Sequence, residues 1–240
     1  MKKFVLGLIF LSYSVSSQTL HSVSLDGISP YRATFDFFAQ DENKDLTKAG
    51  KWTDEVSIQD SLLVRTVERE SLDNGVDLIR TVAALRETAQ PSFVNQWFGQ
   101  RLSSVYYSHF DNNELTQIYI ASPTVPARTK TDKLPKSIIE TGLQGVLAMA
   151  LPFSTQSEIE LLGYSGGATA TVNPIKFSVL GTEIVNVMGE NLTAWKVHQP
   201  ESNWTYWVRT ELPYMVKVSH PSPSGTMLVS LITSFSQAGE

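Results

Sequence analysis

Apolar and polar positions alternate with a period of two through most of this chain. Tyr31, Ala33, Phe35 and Phe37 alternate with Arg32, Thr34 and Asp36. Alternation of this kind puts one set of side chains on a buried face and the other in water, the pattern of a half-buried strand. After a polar stretch at 41–50, Val56 and Ile58 continue it. Segments 62–67 and 76–85 flank Asp73-Asn74-Gly75, and segments 102–110 and 115–121 flank Asp111-Asn112-Asn113. Asn and Gly accept the positive φ of a tight turn, so both junctions predict hairpins. Beyond residue 157, strands are predicted over 159–164, 168–172, 175–180, 184–188, 192–198, 204–209, 214–220 and 227–235. Turn clusters at 188–191, 212–213 and 221–225 separate the later ones. The total is roughly a dozen strands joined locally, as expected of an antiparallel sheet that curls.

One segment follows a different period. Over 136–151 the apolar positions Ile139, Leu143, Val146, Leu147 and Ala150 recur at spacings of three and four. This predicts a helix with one apolar face. Pro135 stands near its start and Pro152 just past its end, positions where proline is tolerated or terminates a helix. Gly142 and Gly145 weaken it and let it lie close to another surface. The stretch 91–105 fits two patterns. Val94, Trp97, Phe98 and Leu102 form a helical stripe, whereas Phe93, Asn95 and Trp97 fit an extended chain. Its first half is read as strand. No internal repeat or long linker appears, so residues 18–240 read as one domain.

Residues 1–17 carry a separate pattern. Lys2-Lys3 is followed by an apolar run from Phe4 to Leu11, then by small, mostly polar residues ending in Val15-Ser16-Ser17. Basic, apolar and small-residue regions in this order predict a cleaved secretory signal peptide. The apolar run is shorter than the ~20 residues of a permanent anchor. The mature protein is therefore expected to begin near Gln18 and to work outside the cytoplasm, where nucleotide cofactors are scarce.

Composition narrows the picture. The 240 residues carry 19 Lys and Arg against 24 Asp and Glu, a net charge of −5. Nonspecific nucleic-acid binding needs surplus cations against phosphate, so nucleic acid is not an expected partner. The chain has no cysteine, which excludes disulfides and a cysteine-linked lipid anchor. A cysteine-free secreted chain reads most simply as bacterial and periplasmic. The sequons at Asn191 and Asn203 are then chance matches.

The second half carries a resemblance. Leu147-Ala148-Met149-Ala150-Leu151-Pro152-Phe153 looks like the end of a helix and its exit. Val179-Leu180-Gly181-Thr182-Glu183 looks like a strand ending in Gly-x-Glu. Met188-Gly189-Glu190-Asn191-Leu192-Thr193-Ala194-Trp195-Lys196-Val197 looks like the turn and strand that follow. With segments 204–209 and 212–219, these resemble the lipoprotein-carrier-like half-barrels, and most closely an uncharacterised set of bacterial secreted proteins. The resemblance covers about residues 130–235. It implies a mainly β fold: a strongly curved antiparallel sheet with a central helix packed in its concave side. An apolar ligand often lies between them in such families. No residue set for lipoprotein handling is present.

Candidate chemistry is sparse. Gly163-Tyr164-Ser165-Gly166-Gly167 fits G-x-S-x-G, but a nucleophile elbow needs a helix after the serine. The Thr-rich segment before Asn173-Pro174 reads as strand or loop, so a glycine-rich turn is expected and a serine hydrolase using Ser165 is an alternative. Ser108 and His109 are strand neighbours and point to opposite faces. The four histidines, at 21, 109, 198 and 220, show no metal-ligand spacing. Segment 128–136 holds Arg128, Lys130, Lys133 and Lys136 with only Asp132 against them. It reads either as a solvated loop or as a rim that meets an anionic head group. Trp204 and Trp207 face opposite sides of one strand.

These readings converge on a periplasmic, non-enzymatic binder of an apolar or amphipathic molecule, such as a lipid in envelope traffic, with no cofactor and no metal. Ile139, Leu143, Val146, Leu147 and Ala150 are the expected tail contacts, and Arg128, Lys130 and Lys133 the expected head contacts. An envelope structural or assembly protein with a packed core, and with a protein partner, is the other reading. The pattern alone fits a filled core and a ligand slot equally well.

Overall fold

The computed structural model describes residues 18–19, 23–99, 103–153, 158–166 and 171–237. Segment 1–17, read as a signal peptide, lies outside them. The described residues form sixteen strands in one sheet and one short α-helix. After β1 (Gln18–Thr19) come β2 (Tyr31–Gln40), β3 (Leu46–Gln59), β4 (Leu62–Ser71), β5 (Gly75–Leu85), β6 (Pro91–Phe98), β7 (Ser104–Asp111), β8 (Glu114–Ile120) and β9 (Arg128–Lys133). Next are β10 (Ile138–Glu140), a 3-10 turn (Thr141–Leu143) and α1 (Gln144–Ala150). The chain ends with β11 (Glu158–Ser165), β12 (Thr171–Val187), β13 (Glu190–Gln199), β14 (Trp204–Val208), β15 (Met215–Pro221) and β16 (Met227–Gln237).

The topology is two meanders joined side by side. Strands β2 to β9 each pair with the next, and so do β11 to β16, all antiparallel. The last strand, β16, pairs with β2, with Ile232 opposite Phe35. The sheet is mainly antiparallel and is not closed: β9 stands at one end of the path and β11 near the other. β1 and β10 add to β11 in parallel. The two ends nevertheless meet through side chains. Tyr106 on β7 donates to the Tyr164 hydroxyl on β11 at 3.2 Å, and Tyr164 donates to Gln117 on β8 at 3.1 Å.

The hairpin turns lie where the sequence places them. Gly75 opens β5 with φ +66°, and Asn112 and Asn113 both take positive φ, 45° and 66°, between β7 and β8. Met188 and Gly189 do the same between β12 and β13. The first half of 91–105 is strand β6. Segments 168–172, 175–180 and 184–188, read as separate strands, are instead one long β12 from Thr171 onward. A bulge between Val179 and Gly181 absorbs the break, and Gly181 supplies its φ of +119°.

The expected helix over 136–151 is corrected. Ser137 takes φ +60°, which no helix accommodates. Ile138 and Ile139 pair with Leu162 and Gly163 of β11, where β-branched side chains fit better than in a helix. Glu140 then caps a 3-10 turn by accepting from the Gly142 amide. Only the seven residues of α1 are α-helical, ending ahead of Pro152. The segment is still central to the core: Ile138, Ile139, Leu143, Val146, Leu147, Ala148 and Met149 are all buried.

Candidate functional site

Seven strands adjacent in the sheet, β14-β15-β16-β2-β3-β4-β5, turn one face toward a cavity of about 340 Å³. Alternation selects what each contributes: Trp204 and Tyr206 from β14, Val218 and His220 from β15, Leu228 and Ser230 from β16. Phe37 and Trp52 come from β2 and β3. Arg65, Val67 and Arg69 come from β4, and Leu78 and Arg80 from β5. The register interleaves these last five, with Val67 opposite Arg80 and Arg69 opposite Leu78. Cations and apolar groups therefore form a checkerboard on one face. The 3-10 turn and the start of α1 add Thr141, Gly142, Gln144 and Gly145 to its lining.

Each arginine is held from behind by an acid. Arg65 is buried, and its Nε and Nη2 donate to Asp54 Oδ1 and Oδ2 at 2.8 and 2.9 Å. Its Nη1 donates to the Gly142 carbonyl at 2.6 Å, which fastens the turn to β4. Asp54, fully buried, also accepts from the Tyr31 hydroxyl at 3.0 Å. Burial works against the Arg65 charge, and Asp54 outweighs it, holding the guanidinium above its ordinary pKa. Arg80 Nη2 donates to Glu140 Oε1, while Glu140 Oε2 accepts from the Gly142 amide at 2.5 Å. Burial pushes the Glu140 carboxyl up, against the pull of Arg80. Arg69 Nε donates to Asp77 at 2.8 Å.

The glycines of the turn bring its backbone close to these side chains. A Cβ on Gly142 would lie 2.5 Å from Arg80 Nε, and one on Gly145 would lie 3.0 Å from Arg65 Nη2. The close approach expected at Gly142 and Gly145 is thus to two guanidinium groups.

At the other side of the cavity His220 stacks on Trp204, with ring centroids 4.0 Å apart and planes 7° from parallel. Burial pushes the His220 imidazole below its ordinary pKa; the Pro221 carbonyl opposes this and Arg69 adds to it. Burial raises the Tyr206 hydroxyl, against an opposing pull from Arg65, so it stays protonated and able to donate. Trp207 faces the opposite side of β14, where its Nε1 donates to Glu183 at 2.7 Å and Lys217 lies over its ring.

The residues singled out from sequence take other places. Ile139, Leu143, Val146 and Leu147 are buried in the core behind the turn, and the cavity wall on that side is Thr141, Gly142, Gln144 and Gly145. Ala150 lines a more open hollow of about 510 Å³ at the far end of α1, with Met149, Phe153 and Trp195. Arg128, Lys130 and Lys133 lie on β9, a strand rather than a loop, because Thr129 and Thr131 pair with Ile118 and Thr116 of β8. They are exposed at the sheet edge, four strands along the path from β5. Ser165 is exposed and pairs with Thr171, so the chain has returned as strand β12 six residues on. Ser108 is buried and His109 exposed, on opposite faces.

Sequence reasoning missed Arg65, Arg69, Arg80 and Tyr206. Their signal is parity: Leu63, Arg65, Val67 and Arg69 share one strand face, and its first member is fully buried. Among the described residues no group of three metal-ligating side chains is found, and no helix is long and apolar enough to cross a membrane. No protein-family model matches this chain, and no curated protein matches it.

Proposed function

We propose that this protein is a non-enzymatic binding protein of the bacterial envelope. It takes an apolar or amphipathic molecule, a lipid foremost, into the cavity beneath the 141–145 turn. The observation that carries this reading is the cavity itself: Phe37, Trp52, Val67, Leu78, Met215 and Val218 give it apolar walls, with a few polar groups set among them. Concave, largely apolar sites of roughly 300–1,000 Å³ with a few convergent polar groups are the usual form of small-molecule sites.

In this reading the open sheet is a half-barrel and the turn and α1 lie in its concave side, as in the lipoprotein-carrier-like proteins that the sequence resembles. Three contacts support that shape. Tyr106 and Tyr164 meet across the two ends of the path; Tyr31 on β2 reaches Met149 of α1 at 3.9 Å; and Arg65 on β4 reaches Gly142. Laid flat at about 4.8 Å per strand, β7 and β11 would be far too distant to touch. Secretion through a cleaved signal, and a periplasmic location, belong to the same proposal.

Mass spectrometry of an organic extract from protein purified without detergent tests it. A co-purifying lipid is expected, and Val67→Trp, which fills the cavity, removes it. Protein that carries no lipid and displaces no fluorescent lipid probe overturns the reading. An assembly role then takes its place. It draws support from an outward row on β5–β8, where Ile79, Trp97, Val105 and Ile120 stand in register and Trp97 is exposed.

A further inference from the structure

Resting on that reading, we infer that the cavity takes a single-chain amphiphile with an anionic head, bound under the 141–145 turn by Arg80 Nε and the Tyr206 hydroxyl.

The polar groups on the cavity wall are strongly biased toward donation. Three guanidinium groups face it, and none of the described residues lining it is acidic. Asp54, Glu140 and Asp77 each bind their arginine from outside that lining. Two donors are left over. Among the residues that line the cavity, Arg80 Nε and the Tyr206 hydroxyl are buried without a hydrogen-bond partner. Tyr206 is only 2% exposed. Leaving a buried donor unmade is costly, and the cost is greater for a charged group. An acceptor that enters the cavity removes both costs together, and an oxyanion does so with charge-assisted bonds.

The donors are also fixed in place. Arg80 is pinned by Glu140 and lies against Gly142, while Arg65 is pinned by Asp54 and lies against Gly145. A site whose donors are already ordered gives up little entropy on binding. Beyond them the walls turn apolar, at Val67, Leu78 and Met215. At about 340 Å³ the cavity is near the lower end of small-molecule sites. That size suits one acyl chain rather than the two of a phospholipid. Carboxylate, phosphate and sulfate heads share the required chemistry.

Delipidated full-length protein titrated with decanoate, decyl phosphate, decanol and decyltrimethylammonium tests the inference by calorimetry. Decanoate or decyl phosphate is expected to bind at least about tenfold more tightly than decanol, the effect of one charge-assisted hydrogen bond. Which of the two binds tighter identifies the head. Tyr206→Phe is expected to weaken the anion about three- to tenfold and leave decanol unchanged. Its melting temperature should hold or rise, because the deleted hydroxyl has no partner. Arg80→Lys keeps a charge against Glu140 but drops Nε, and should erase the preference for the anion. Equal binding of decanol and both anions, or a preference for the cation, overturns the anionic head and leaves the carrier reading standing. Anion binding by Tyr206→Phe equal to that of the parent overturns the placement of the head. Failure of all four probes to bind overturns the carrier reading and this inference with it.

Discussion

Arg80 on β5 and Glu140 at the end of β10 form an ion pair that ties the turn to the sheet, and the carboxylate has no solvent exposure at all. A buried pair of this kind adds little net stability, because desolvation offsets the attraction. Breaking it from one side is another matter. Arg80→Met leaves Glu140 charged, buried and held only by the Gly142 amide. The expected cost at neutral pH is ~3–5 kcal/mol. Burial already raises the Glu140 pKa, and loss of Arg80 raises it further. A carboxyl with a raised folded-state pKa favours the folded state below its unfolded pKa and loses that contribution as pH rises. The deficit of Arg80→Met should therefore shrink on acidification. Urea titrations of parent and variant at neutral and mildly acidic pH check this; a pH-independent deficit refutes it.

Leu147 tests the wall rather than the cavity. It is fully buried and packed behind the turn. Leu147→Ala should cost ~2–5 kcal/mol, the price of a core cavity. A loss well below that range, with altered lipid binding, would place Leu147 against a ligand instead. Thermal melts beside probe displacement separate the two outcomes.

The glycines around Ser165 have a packing explanation. A Cβ on Gly166 would lie 1.4 Å from the Tyr106 hydroxyl, and one on Gly163 would lie 2.0 Å from Ile175 Cδ1. Gly166→Ala is expected to destabilise by ~1–3 kcal/mol through overpacking, with loss of the Tyr106–Tyr164 contact. Ser165→Ala, at an exposed position, should stay within ~0.5 kcal/mol. A fluorophosphonate probe should leave the parent unlabelled; labelling that Ser165→Ala abolishes would revive the hydrolase reading.

The charges of β9 suit a protective role. Its outer edge has no partner strand among the described residues, and lysines on an exposed edge discourage pairing with a second chain. Replacing Arg128, Lys130 and Lys133 by threonine should change monomer stability little, because exposed charges contribute little. It should promote association at high concentration. Light scattering after size exclusion reads this directly, and a triple variant that stays as monodisperse as the parent removes the edge argument.

What could be read from the sequence divides along the range of the interactions. Turns at Gly75, Asn112-Asn113 and Met188-Gly189 were legible because a positive φ is a local demand. The pairing of β16 with β2 joins residues almost 200 positions apart, and no local pattern encodes it. Ile139 keeps helical spacing with Leu143, yet a parallel partner in β11 draws it and Ile138 into a strand. The candidate site was hidden by polarity. An arginine on an inward face looks, in sequence, like one on an outward face. Only the fully buried Asp54 and Glu140 reveal that Arg65 and Arg80 point inside.

His220 gives the cavity wall a pH dependence. Its imidazole stacks on Trp204, donates from Nδ1 to the Pro221 carbonyl at 3.1 Å, and has Arg69 nearby. Burial, with Arg69 adding to it, holds its pKa below the ordinary histidine value. A group whose folded-state pKa is depressed contributes stability that is present above its unfolded pKa, about 6.5 for histidine. That contribution is lost as pH falls through the depressed value, because the unfolded chain takes up the proton first. Glu140 works in the opposite direction: its raised pKa favours the folded state as the carboxyl group protonates. Loss of stability just below neutrality is therefore the histidine's part. The parent should lose melting temperature from pH 7.5 to pH 5.5 more steeply than His220→Gln, which has no proton to take up there. Equal slopes in the two proteins would mean that the stacked ring titrates as it does in water.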